Sequence, residues 1–446
     1  MKKFFTTISN IWKIEDLRVR ILNTLLFLLI YRVGSFVRLP GVSDAVLSKG
    51  KAEGLVGLLN MFAGGSFSRV SIFALGVMPY ISASIVMQLL GIAVPYFAKM
   101  QKDGESGRNK INQWTRYLTI AITALQAAAY LQSQVTADEM LIGNPLFTVM
   151  NTFVLTSGTL FVMWLGEKIT DKGIGNGISL IIMVGIIAQL PGAFVAEFQN
   201  RTSGSGGLIT FIVELVALLG VVMFTVLIVQ GTRKVAVQYA KRIVGNKQYG
   251  GVRQYIPLKV TAAGVMPIIF AQALMFLPAT FASYFPSLSS NGIMIALSNY
   301  NSWLHNLLFA FLIIVFTYFY TAITVNAKQM AEDMKKNNGF IPGVKPGEAT
   351  NHYIDDIISK ITLPGSIFLA IVAIIPAVIS IFGVNTLFSR FFGGTSLIIL
   401  VQVVLDTLQQ IESHLLMRHY DGLMKTGRIT GRTSIPAVTG TTSSVI

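Results

Sequence analysis

Three ionisable side chains, Arg32, Glu214 and Asp406, lie within long apolar stretches of this chain, and they bound the chemistry it could do. A carboxylate at mid-membrane is the group on which proton or sodium coupling of a solute transporter is built, and Asp406 is the best placed for that. Its sequence surroundings offer no obvious buried basic partner, so a helix-packing or cytoplasmic-end role is the reading we favour. Other reactive types are missing. The 446 residues include no Cys, which excludes a disulfide framework, a thiol nucleophile and a thiolate metal site. The four His fall in no HExxH-like ligand spacing, and there is no GxxxxGK[ST] phosphate loop, paired-carboxylate motif or triad. The chain reads as a non-enzyme with no cofactor, driven by something else.

The elements that must position these groups are membrane helices. Hydrophobic residues make up 53% and charged residues 12%, against about 25% charged in soluble chains, and the mean hydropathy is +0.63. Apolar runs long enough to cross a ~30 Å hydrocarbon core recur throughout. Hydropathy and breakers together predict ten spans, at 21–37, 73–96, 116–134, 147–166, 176–192, 208–230, 259–282, 303–325, 361–382 and 393–413. Of the 35 Lys and Arg, 28 fall in the N-terminus (1–20, charged and amphipathic), in alternate loops, and in the tail (414–446). That asymmetry places both termini in the cytoplasm and accounts for most of the +15 net charge. The first span lacks a small-residue cleavage site and reads as a retained helix, not a signal peptide.

Between the fifth and sixth spans, 201–207 (RTSGSGG) reads as a flexible linker. It divides the chain into halves 21–200 and 208–413, each with five spans and with opposite starting orientations, the arithmetic of an inverted repeat. An ordinary loop is the alternative. Two long basic loops, 231–258 and 326–360, exceed what topology alone requires and read as docking sites for a large partner with an acidic or RNA surface. Segment 57–70 (GLLNMFAGGSFSRV) is too short and interrupted to span. It is either an external surface loop or a short helix re-entering a cavity, with Gly64 and Gly65 supplying the bend.

Specific motifs then appear in order: SIFALGVMPYISASIVMQLL (71–90), KDGESGRNK (102–110), WLGEKITDKGIGNGISLII (164–182), YAKR (239–242), PLKVTAAGVMP (257–267), FIPGVKPGE (340–348) and GGTSLII (393–399). On these the chain resembles the SecY family over about residues 10–425. The resemblance implies an all-α integral membrane protein of the bacterial cytoplasmic membrane. Ten transmembrane helices would form two inverted pseudo-symmetric halves around an hourglass pore, with a short re-entrant plug helix. It implies a protein-conducting channel that passes unfolded polypeptides across the bilayer and releases hydrophobic segments sideways into it.

Matched motif by motif, the family's apolar pore ring falls on Ile81, Ile85, Ile178, Ile182, Ile269 and Ile399. The first four form two i, i+4 pairs, each on one helix face, and a collar of branched apolar side chains gates by dewetting. The spacing alone equally suits lipid-facing or packing positions. The resemblance makes Asn60, Met61, Phe62, Ala63, Gly64, Gly65, Ser66, Phe67, Ser68 and Arg69 the plug. It puts a lateral gate between spans two and three and spans seven and eight, where Gln88, Gln126 and Gln272 are candidate polar contacts. The competing reading of those amides is a helix–helix hydrogen bond without a gating role.

Arg242, Arg253 and Lys345 are the implied contacts for the SecA motor ATPase and for the ribosome, including its rRNA. Lys345 departs from the family's usual arginine, keeping the charge but losing the planar fork. SecE-like and SecG-like small subunits are implied as partners, with room for accessory SecD/SecF and YidC-like proteins. A solute transporter and a scaffold for assembling membrane proteins remain the rival readings.

Overall fold

The computed structural model describes residues 12, 14–43, 60–135, 143–203, 207–239, 242–244, 247–249, 253–284, 292–299 and 301–425. Most of the N-terminal segment, 57–59 at the start of the expected plug, 204–206 of the expected linker, and the Ser/Thr-rich end of the tail (426–446) lie outside them.

Seven helices come first: α1 (Glu15–Gly34), α2 (Met78–Ala93), α3 (Pro95–Lys102), α4 (Gly104–Gln134), α5 (Asn144–Lys172), α6 (Gly177–Ser203) and α7 (Gly207–Val229). Strands β1 (Thr232–Tyr239), β2 (Arg242–Val244), β3 (Lys247–Tyr249) and β4 (Arg253–Lys259) follow. The chain continues through α8 (Met266–Tyr284), α9 (Gly292–Ser298), α10 (Trp303–Thr324), α11 (Ala327–Lys336), β5 (Gly339–Phe340), α12 (Glu348–Ile381), α13 (Thr386–Ser389) and α14 (Gly394–Lys425). A helix underlies each expected span. Among the described residues, six are long and apolar enough to cross a membrane unaided, or seven if the bent pair α2–α3 counts as one span.

The bend has a local cause. Val94 precedes Pro95, whose ring disfavours helical geometry in the residue before it, and Val94 is extended at φ −112°, ψ 118°. The axis turns by 103° there. The expected span 73–96 is therefore corrected to a 16-residue helix entered through turns at 72–77. At 1.5 Å per residue that helix is only roughly 24 Å long, short of a ~30 Å hydrocarbon core. Elsewhere helices outrun their expected ends: α4, α12 and α14 have 31, 34 and 32 residues. The α14 helix carries on into what the sequence reading took as tail.

The helical fold also carries a small sheet module. The two long basic loops fold together: β4, β1 and β5 form one antiparallel sheet, with Val235 opposite Ile256 and Gln238 opposite both Arg253 and Phe340. β2 and β3 form a separate hairpin. Val235, Val237 and Leu258 from the first loop share a buried cluster with Ala327, Met334, Ile341 and Ile354. Two loops separated by the three helices α8, α9 and α10 thus make one module with its own core.

Arg201 is also misplaced by the linker reading. It lies within the last turn of α6, buried, with Nε 2.9 Å from Glu197 Oε1 and a terminal nitrogen 2.6 Å from Glu214 Oε1 on α7. Glu197 Oε2 also accepts the Asn385 amide at 2.8 Å, just before α13. An ionic cluster of Glu197, Arg201 and Glu214 therefore joins the end of α6 to α7. Asp406 likewise has the basic partner that its sequence context hid: Lys259 Nζ lies 3.8 Å away, with both side chains about half exposed.

These two sites predict contrasting costs. Replacing Arg201 with Met leaves two buried carboxylates facing one another and should lower stability by about 3–5 kcal/mol. Replacing Lys259 with Met, at an exposed pair, should cost under about 1 kcal/mol. Thermal unfolding of both variants in one detergent checks the contrast.

Candidate functional site

The centre of the bundle is apolar and assembled from both halves. Ile81 and Ile85 on α2, Ile182 on α6, Ile269 on α8 and Ile399 on α14 are 7%, 5%, 2%, 9% and 1% exposed. All five belong to one continuous buried cluster, and Ile178 packs against it partly buried. The cluster also holds ordinary packing residues, so membership brings the six isoleucines together without singling them out. Met61 and Phe62 lie in the same cluster, placing the 60–70 segment at its edge.

That segment is re-entrant, but little of it is helix. Only residues 60–62 are helical, and 63–70 run as consecutive turns, which corrects the expectation of a plug helix over its described part. The reversal is made by Gly64 at φ +64° and Gly65 at φ +86°, a region that favours glycine. Val70 at φ 50° is a strained position for a β-branched residue. Just beyond it, Leu39 N donates to Val70 O at 3.0 Å and Ile72 N to Val37 O at 2.9 Å, tying the exit of the segment to the chain leaving α1.

Irregular backbone inside a bilayer must find protein partners, and here side chains from three helices supply them. Arg32, in the last turn of α1, donates to Gly64 O at 2.8 Å. Tyr130 on α4 donates to Phe67 O at 2.6 Å, and Gln189 on α6 to Asn60 O at 2.6 Å. Within the segment, Arg69 donates to the same Gly64 carbonyl at 2.9 Å. Close backbone approach completes the seat: a Cβ on Gly185 of α6 would stand 2.6 Å from Phe62 O and 3.1 Å from Gly64 N.

Sequence reasoning missed Arg32, Tyr130, Gly185 and Gln189 as seat residues. Arg32 was visible as a charge inside a span, and Gly185 as a glycine within an apolar helix, but the partner of each is remote in sequence.

The three glutamines are not joined to one another. The Gln88 amide donates to Ser84 Oγ on its own helix at 3.4 Å. Gln126 on α4 is partly buried, and Gln272 on α8 is buried at 4% exposure. Helices α2 and α4 pack on α8. At the sheet, Arg253 is exposed opposite Gln238, and exposed Lys345 follows the β5 strand that pairs with the same residue. The register therefore brings Arg253 and the loop bearing Lys345 to one end of the module. Arg242 sits in β2, where the backbone alone is described.

Comparison with known proteins settles the family. The SecY family profile matches residues 71–408. The chain belongs to the SecY family. Protein translocase subunit SecY of Halalkalibacterium halodurans is 44% identical over 430 residues, covering 94% of this chain and 100% of the relative. A solved structure described as "The structure of a protein conducting channel" superposes with a TM-score of 0.68 at 18% identity, over 93% of this chain and 95% of the other. Sec61 in a canine ribosome–channel complex superposes at 0.64, also at 18% identity, with the same coverage. At such identity these two likenesses show the fold. This SecY-family chain is accordingly a multi-pass membrane protein of a channel-subunit family.

The seat predicts a sensitive glycine. Gly185→Ala should push on the Phe62 carbonyl and destabilise the seated segment by about 1–3 kcal/mol. In a chain without cysteine, Met61→Cys then reports the seat. Its reaction with a membrane-impermeant thiol reagent should be roughly fivefold faster or more when Gly185→Ala is also present.

Proposed function

We propose that this chain is the pore-forming subunit of a protein-conducting channel that carries unfolded secretory polypeptides across the cytoplasmic membrane. The observation that carries the reading is SecY-family membership along almost the whole chain, together with a re-entrant segment packed against a central cluster that contains five of the matched isoleucines and has the sixth, Ile178, packed on it. Ile81, Ile85, Ile178, Ile182, Ile269 and Ile399 act as the gate. Their branched side chains exclude a continuous water file yet offer no polar group to hold a substrate. Residues 60–69 act as its stopper.

The ten helices over the expected spans each cross the bilayer, with both termini cytoplasmic and the sheet module on the cytoplasmic face. Hydrophobic segments leave sideways where α2 and α4 meet α8. Gln126 and Gln272 there, and Gln88 through its Ser84 contact, are groups that an incoming helix could displace. The sheet module, with Arg242, Arg253 and Lys345, contacts SecA or a translating ribosome. SecE-like and SecG-like subunits complete the complex, and the chain performs no catalysis itself.

The coupled-transporter reading loses its footing on Asp406, which pairs with Lys259 at a half-exposed site beside β4, and on Glu214, which is held by Arg201.

Transport of a signal-bearing precursor into proteoliposomes containing this chain, its small partners, SecA and ATP tests the proposal. Ile399→Asn should admit a precursor with a defective signal that the parent excludes. Transport unaffected by the substitution would overturn the ring assignment. Failure to transport in a preparation that binds SecA normally would favour the scaffold. Reversing charge with Arg253→Glu and Lys345→Glu together should cut SecA-driven transport at least tenfold while leaving thermal stability unchanged.

A further inference from the structure

At the end of the bundle opposite the sheet, a cavity of about 360 Å³ opens between the 60–70 segment, α1, α6 and α13. Three of its lining residues, Arg32, Arg69 and Arg390, are arginines, and none of the lining residues is Asp or Glu. They come from three separate parts of the chain: the end of α1, the re-entrant segment, and the turn between α13 and α14. Arg390 is 4% exposed.

Arg32 and Arg69 are close to each other. Both donate to the Gly64 carbonyl, and their guanidiniums lie 4.9 and 4.4 Å from the centre of the same Phe36 ring. The Arg69 Nε is buried and has no hydrogen-bond partner. Like charges this close repel strongly where water is scarce. A carbonyl dipole and an aromatic face ease that repulsion but bring no negative charge. The nearby carboxylate on α6, Glu197, is engaged by Arg201 and the Asn385 amide.

We propose that this cavity binds a phosphate-type oxyanion, held by Arg32 and Arg69 from one side and Arg390 from the other. Guanidiniums match such oxygens through paired N–H donors. The volume leaves space for the anion and several waters at about 30 Å³ each. An anion there joins α1, the re-entrant segment and the C-terminal half, and so favours the seated arrangement by mass action. The site follows from the arginines and the cavity, and stands whether or not the segment serves as a channel stopper.

Two sources could supply this chemistry, free phosphate and an anionic lipid headgroup, and the experiment separates them. The full chain is purified in a maltoside detergent, which carries no phosphate, in gluconate buffer at constant ionic strength. Inorganic phosphate and short-chain phosphatidylglycerol are then titrated separately while the melting midpoint is followed. A saturable rise with either probe is expected. Arg69→Gln should weaken the apparent affinity about tenfold or more, as loss of a charge-assisted contact does. Arg69→Lys should weaken it less, and exposed Lys99→Gln not at all. Equilibrium dialysis of radiolabelled phosphate against the unmodified chain gives a reading independent of how the variants fold. Saturation near one per chain, or its competition by phosphatidylglycerol, supports the site. No saturable effect of either probe, or an affinity indifferent to Arg69→Gln, overturns it.

Discussion

A chain that leaves helical geometry inside a bilayer must still satisfy its backbone polar groups, because lipid offers no partner. Residues 60–70 do leave it, and much of the surrounding architecture answers that demand. Tyr130, Arg32 and Gln189 each spend a side-chain donor on a carbonyl of this segment. Gly185 lacks a side chain where the segment passes closest. Arg32 therefore does not violate membrane packing: its charge points at the dipole of the Gly64 carbonyl in this irregular backbone. Apolar packing holds the segment as well: Met61 and Phe62 lie in the central cluster, and Ala63, Phe67 and Val70 in a second buried cluster with residues of α4 and α5.

The same economy of charge governs how the halves meet. Glu197, Arg201 and Glu214 neutralise one another beside the α6–α7 connection, and Glu197 reaches across to the Asn385 amide of the C-terminal half. At the other end of α6, the Gly175 amide donates to Gln410 Oε1 on α14 at 2.8 Å. The halves are thus pinned at both ends of one helix, whereas the seam of α2 and α4 with α8 rests on side-chain packing.

Much of this was legible in the sequence. Hydropathy placed a helix under every expected span, and Gly64 with Gly65 marked the bend. Its errors are instructive. Pro95 was in view, yet the effect of its ring on Val94, a turn of 103°, depends on the geometry on either side. The loops at 231–258 and 326–360 were read as two basic docking segments because sheet pairing between them has a sequence separation that no local pattern reports. Arg201 was read as linker because a Ser- and Gly-rich stretch follows it in sequence, and burial by an ion pair to another helix leaves no trace in local composition.

By itself the sequence determined what depends on composition and short-range order: a membrane-embedded helical chain, its family, the isoleucines that can form an apolar centre, and the glycines that can reverse the backbone. Tertiary structure alone decided which groups meet. It set Gly185 against Phe62, Arg32 and Arg69 on one carbonyl, Lys259 beside Asp406, and β5 beside β1. Residue type limits which contacts are chemically favourable, but choosing among them requires bringing distant segments into one place. That choice is made by the packing of the whole bundle, where each buried charge and unpaired carbonyl accepts only a partner that the fold can deliver.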